Sequence, residues 1–248
     1  MFNCRILPAG HTAAMPVVCR LLKQRGFTIQ QQPGADTTHL LLPVPAFGPD
    51  GNIRGGGDLT ELLDRLPPNV TVIGGNLQHG LLASYDRLDL LNDPFFVAKN
   101  AAITAHCAVR MIAHSLPCTL ERCPVLVIGW GRIGKILSRL LDQMGAKVVV
   151  AARKATDRAM LEALGYGAVD TYELDPTGYR VVVNTVPAPV LTDCNVDALK
   201  IDLASAPGIT GDGVIWARGL PGKDAPESAA QLIAHTVTKL LADKEVLL

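Results

Sequence analysis

Neither sign of charge dominates this sequence: 23 basic residues face 23 acidic ones among 248, with no block of like charge. Such a balance leaves no electrostatic footprint for a nucleic acid or an acidic membrane surface, and points to a small-molecule partner. Long apolar runs are missing too. The opening stretch MFNCRILPAGHTAAMPVVC has no basic segment followed by a long apolar one, and no segment reaches the ~18 apolar residues a membrane span needs, so a cytoplasmic location is expected. Paired metal-ligand spacings are also lacking. Cys4, Cys19, Cys107, Cys118, Cys123 and Cys194 contain no C-x-x-C pair, and the six histidines form no H-x-H or H-x-x-x-H. A zinc knuckle and a disulfide framework are thereby disfavoured, reduced thiols are expected, and no metal is expected. Repeats and low-complexity tails are absent as well.

What is present is 48% hydrophobic sequence arranged as strands alternating with helices, the pattern of parallel α/β sheets. Strands are expected at CRILPAG, FTIQQQ, THLLLPVP and NVTVIGG. Between them lie a helix ending near Gly26 and another over DLTELLDRL, capped by Asp58. The pattern loosens from Asn76 to Pro94, and a helix from Val97 to His114 leads into a second series opening at PVLVIG. In that series, helix 132–144 carries Ile133, Ile136, Leu137, Leu140, Leu141 and Met144 on one face, with AKVVVAAR as the next strand. Further strands follow at GAVDT, RVVVNTVP, LKIDLAS and VIWARG. Helices are expected over 157–164 and from about Ala225 to Leu241. The expected organisation is a smaller N-terminal flavodoxin- or Rossmann-like α/β domain over 1–96. An interdomain helix and a Rossmann doubly wound parallel sheet then fill 97–248, with the C-terminal helix free to pack back on the first domain.

The turn VLVIGWGRIG places Gly129, Gly131 and Gly134 as G-x-G-x-x-G between a buried strand and an amphipathic helix. There the first glycine permits a tight turn, the second the approach of a pyrophosphate, and the third close helix–sheet packing, with phosphate at the helix N-terminus. Trp130, Arg132 and Ile133 complete the expected cradle, although Arg132 could face phosphate or solvent. A tight turn without ligand is the bland alternative. About twenty residues on, where an NAD site places an acid on the ribose hydroxyls, the chain has Ala151 and Ala152 followed by Arg153 and Lys154. Those cations would attract a 2′-phosphate, favouring NADP over NAD; as a solvated strand end they would bind neither.

Ligands of such sheets lie beyond the carboxyl ends of the strands. Three segments there are rich in proline and small residues: Asn184 to Pro189, Asp202 to Gly208 and Arg218 to Pro226. Asn184, Thr185, Val186, Pro187, Asp202, Ala204, Ser205, Leu220 and Pro221 are the expected cofactor walls, with ordinary strand-ending turns as the alternative.

In order, GWGRIG, AARK, NTVPAPVL, IDLASAPG and GLPGKDAPESAAQLIAHTVTKLL resemble the family of the dipicolinate synthase A subunit, with LLLPV and VIGGN fitting its N-terminal half. The resemblance implies a two-domain fold like that of formate/glycerate-type dehydrogenases. It also implies NADP-dependent oxidation of dihydrodipicolinate to pyridine-2,6-dicarboxylate, alongside a flavoprotein-like B subunit. The chain departs from the family pattern at Ala206, where that pattern carries an arginine, and at His106, where it carries an acid. Its N-terminal region is shorter.

Loss of a hydride and a proton from a dihydropyridine asks chiefly for orientation, with modest acid–base help. His106 is the candidate for the proton and His79 a weaker one; Lys99, on the same helix as His106, is a catalytic candidate beside it, as a cation for a substrate carboxylate. Arg110, Arg218 and Lys223 are candidates for a dicarboxylate substrate; solvated surface charges are the alternative. Lys99, His106 and Arg110 are spaced by seven and four residues, compatible with one helix face. Two further readings stand beside the resemblance: an NADPH-dependent 2-hydroxy or 2-keto acid dehydrogenase, and a non-catalytic NADP-binding regulatory subunit. The apolar interdomain and C-terminal helices leave room for a homodimer.

Overall fold

The computed structural model describes residues 4–245. The chain forms two compact units, one of Met1–Asn100 with Pro221–Leu248 and one of Ala101–Leu220. The first unit is thus built from two chain segments, whereas a division into 1–96 and 97–248 makes each domain from one.

In the first unit, β1 (Arg5–Pro8), α1 (Met15–Gln24), β2 (Thr28–Ile29), β3 (His39–Leu41), α2 (Leu59–Asp64), β4 (Thr71–Gly74) and β5 (Arg87–Asp89) give a parallel sheet of order β2-β1-β3-β4-β5. That order is the 2-1-3-4-5 winding of flavodoxin-like sheets. Leu40, Leu41, Val72 and Ile73 are fully buried, as strands covered on both faces require. Asp58 caps α2 by accepting from the amides of Thr60 and Glu61 at 2.7 and 3.1 Å. The long helix α3 (Pro94–Ser115) begins three residues earlier than Val97, because the Asp93 side chain accepts from the Phe96 amide at 2.7 Å and Pro94 opens the first turn. The unit boundary falls inside α3. The C-terminal helix, α7 (Pro226–Glu245), packs on α1 within the first unit, where Arg25 Nη1 donates to Thr238 Oγ1 at 3.1 Å.

The second unit contains β6 (Pro124–Ile128), α4 (Arg132–Gln143), β7 (Lys147–Ala151), α5 (Ala155–Ala163), β8 (Gly167–Val169), β9 (Val181–Asn184), β10 (Leu199–Asp202) and β11 (Val214–Trp216). Its strands are all parallel, in the order β11-β10-β9-β6-β7-β8. Counted from β6 this is the 3-2-1-4-5-6 winding of dinucleotide-binding sheets, whose direction reverses between β6 and β9. The doubly parallel α/β expectation holds. Two elements are not legible in the sequence. Strand β5 is an edge strand of sequence Arg-Leu-Asp, defined only by its pairing with β4, and the short helix α6 (Leu220–Asp224) contains both Pro221 and Gly222, which argue against a helix locally.

Candidate functional site

The three glycines after β6 have different physical reasons. Gly129 has φ +105°, and a Cβ there would lie 2.5 Å from Thr185 Oγ1 and 2.8 Å from Val186 Cγ2, so the chain itself demands glycine. A Cβ on Gly134 would overlap the Gly129 carbonyl, which fixes how closely α4 packs on the turn. Gly131 is otherwise: its backbone is extended, at φ −84° and ψ −168°, and a Cβ would meet nothing of the described chain within 4 Å. The described chain imposes no need for glycine there, whereas a ligand pressed against the backbone would. Beyond it the first-turn amides of Arg132, Ile133 and Gly134 have no acceptor within the helix, and the N-cap Gly131 has no side chain to offer one. A pyrophosphate fits this open, donor-rich cradle.

The Trp130 indole meets the Tyr166 ring edge-on at 6.0 Å, with Lys135 Nζ 5.7 Å from the indole centroid. Burial, helped by the nearby Asp142 carboxylate, pushes the Tyr166 phenol above its ordinary pKa. Trp130 and Ile133 are partly buried, while Arg132 is exposed.

At the end of β7, Ala152 is buried and its amide donates to Val169 of β8 at 3.0 Å, leaving no carboxylate where a ribose-binding acid would stand. Arg153 and Lys154 follow, both exposed, and no side chain caps α5 at Lys154. The structure brings these cations together at the carboxyl edge of the sheet.

At the ends of β9 and β10 the side chains turn inward. Asn184 and Asp202, expected among the cofactor walls, are fully buried. Asp202 Oδ1 accepts from Asn184 Nδ2 at 3.0 Å and the Ala204 amide at 2.9 Å, and Oδ2 accepts from the amides of Gly208 at 2.6 Å and Ile209 at 2.9 Å. Asn184 also exchanges two 2.9 Å bonds with the backbone of Val186. These two side chains spend their hydrogen bonds on the chain and act as anchors for the loops that follow. Thr185 Oγ1 likewise donates to Ile128 O at 2.9 Å, while Pro187 and Ser205 stand exposed. Ala204 is buried, its carbonyl accepting from Trp216 Nε1 at 3.0 Å, and Leu220 and Pro221 are buried. Gly208 packs beneath, where a Cβ would meet the carbonyls of Val186 and Ala188 at 2.8 and 2.7 Å.

The remaining candidates have other surroundings. His106 is exposed and, with Lys135, Ile136, Arg139, Leu140 and Gln143 of α4, lines an open cavity of about 430 Å³ along the body of that helix. Lys99 is exposed, its Nζ 5.8 Å from the Phe95 ring centroid. Arg218 lies over Trp216 at 4.9 Å, and Arg110 and Lys223 are exposed. His79 accepts from the Leu81 amide at 3.3 Å through Nδ1 and packs on Phe47 at 4.8 Å, the position of a local helix cap. Among the described residues no cluster of three or more His, Cys, Asp or Glu could hold a metal ion, and no helix is long and apolar enough to cross a membrane. Arg158 is a member of this region that carries no signal in the sequence. From the second turn of α5 its Nη1 donates to the carbonyls of Ala152 and Arg153, both at 2.9 Å, and pairs with Asp170 at 2.8 Å. No spacing rule links these four residues, because only the β7–β8 register brings them together.

No family model matches the chain. It is 26% identical to the A subunit of dipicolinate synthase from Bacillus subtilis (strain 168) over 247 residues, an alignment covering 87% of this chain and 81% of that protein. The crystal structure of the dipicolinate synthase A subunit from Bacillus halodurans superposes with a TM-score of 0.82 at 23% identity, covering 97% of this chain and 98% of that one. A transhydrogenase from Sinorhizobium meliloti shares the fold at a TM-score of 0.70 and 14% identity, covering 98% and 95%. The chain is thus similar to the dipicolinate synthase A subunit along most of its length and is built on two Rossmann-like parallel α/β sheets.

Proposed function

We propose that this protein is an NADP-dependent oxidoreductase that converts dihydrodipicolinate to dipicolinate. The observation that carries the cofactor half is Gly131, a bare, extended residue at the switch point of a 3-2-1-4-5-6 sheet, with helix amides behind it. The substrate half rests on the relationship to the dipicolinate synthase A subunit. When bound, the nicotinamide supplies a hydride acceptor at C4. The chain's part is to hold and orient: the amides of 132–134 receive the pyrophosphate, and Arg153 and Lys154 receive the 2′-phosphate. The loops pinned by Asp202 and Asn184 keep a fixed shape beside it. Aromatisation of the substrate ring leaves little work for an acid–base pair, so His106 and Lys99 are auxiliary in this reading.

The test supplies freshly generated dihydrodipicolinate and NADP, with and without a flavoprotein-like B subunit, and follows reduced nicotinamide and the pyridine product together. Formation of both is expected; absence of product in both arms refutes the proposed reaction. For the cofactor, Arg153→Asp is expected to lower NADP affinity about tenfold relative to NAD, and an unchanged ratio would remove Arg153 from 2′-phosphate recognition. A second reading, a nucleotide-binding subunit without turnover, is favoured by Ala206, exposed where the family pattern has arginine, and by the placement of His106 along α4. It requires tight NADP binding with no product even when the partner is present.

A further inference from the structure

The turn after β7 carries more charge than its two exposed cations. Continuing the β7–β8 register from Ala151↔Val169 sets Asp170 beside Ala152, the position where an NAD site would have its acid. Asp170 therefore places a carboxylate at the same edge, one strand over. Asp157, in the first turn of α5, adds a second. Against these two stand Arg153, Lys154 and Arg158. Arg158 is the member not free to follow a ligand. It is partly buried, paired with Asp170 at 2.8 Å, and bonded to the Ala152 and Arg153 carbonyls at 2.9 Å each. Its guanidinium thus covers three oxygens that would otherwise face an incoming anion.

We infer that Arg158 is a specificity-determining positioning residue: by neutralising Asp170 and capping the turn carbonyls it keeps the β7–α5 turn net positive and so selects a dinucleotide carrying a 2′-phosphate. The inference rests on the NADP reading. With Arg158 in place three cations outweigh two carboxylates; without it the turn is neutral and Asp170 is uncovered, the arrangement that repels a phosphate and suits ribose hydroxyls. The ion pair is about one-quarter exposed on each side, so its own contribution to stability is small. Its consequence lies in the field it leaves at the turn.

The experiment is calorimetric titration of the full chain with 2′,5′-ADP and 5′-ADP, which needs no turnover. The expected results are preference of the wild type for 2′,5′-ADP and loss of that preference by about tenfold in Arg158→Gln with little change for 5′-ADP. Preference is retained or strengthened in Asp170→Asn, and recovered in the Arg158→Gln/Asp170→Asn double variant. Thermal melts run beside each titration confirm that the variants are folded. An unchanged ratio in folded Arg158→Gln overturns the inference, as does failure of the double variant to recover, or weakening by Asp170→Asn alone, because either would make the ion pair a scaffold and not a charge filter. Equal binding of the two nucleotides by the wild type would instead refute the NADP reading itself.

Discussion

The turns that follow the first strand of each sheet, after β1 and after β6, both contain glycine, yet only the second has one that the described chain does not itself need. At Gly10 (φ +81°) a Cβ would lie 2.7 Å from Pro43 Cγ and against the Arg54 carbonyl, and at Gly55 (φ +82°) it would strike the His11 backbone. The loop around residues 47–57 folds over the β1 turn, and the His11 amide donates to Gly55 O at 3.1 Å. The chain has filled its own switch point. At Gly131 nothing of the described chain comes near, and the space is left open. A glycine at a strand end is thus evidence of a ligand only when the chain does not itself need it.

Four substitutions break or sharpen that contrast. Asp202→Ala would strip acceptors from three buried amides and the Asn184 side chain, at a cost of about 3 kcal/mol or more read by urea denaturation. Little loss would mean that water replaces the carboxylate. Gly10→Ala, which combines positive φ with overlap, should destabilise by about 2–3 kcal/mol while leaving nucleotide affinity of the folded protein unchanged. A drop in affinity would make the β1 turn part of the site. Gly131→Ser should do the reverse: serine caps helices at least as well as glycine, so the melting temperature holds, while NADP affinity falls about tenfold or more by fluorescence titration. Undiminished binding would contradict the cradle. Smallest, and confined to the first unit, Asp58→Ala removes the α2 cap for about 1 kcal/mol with no change in binding.

Legibility from the sequence follows how local each cause is. The cap at Asp58 and the Gly129/Gly131/Gly134 turn rest on spacings of a few residues and are visible as local structure. The β7 end is equally visible, since Ala152, Arg153 and Lys154 are consecutive. Asp202 is misleading in sequence: a carboxylate at a strand end looks like a ligand contact until the loop 203–209 folds back and takes up both oxygens. His106 is less legible, because helical spacing defines a face but not what that face meets. Strand β5 and helix α6 have no local signature and exist through the neighbours they meet.

By itself the sequence determined the alternation of strands and helices, the glycine cradle and the cations behind it, because each depends on hydrophobic period and on conformational rules spanning a few residues. Tertiary structure alone decided the strand orders, the joining of α7 to the N-terminal unit, the capture of Asp202 by its own loop and the pairing of Arg158 with Asp170. Those depend on which distant segments become neighbours, and hydrogen bonds and charges are satisfied only after that choice is made.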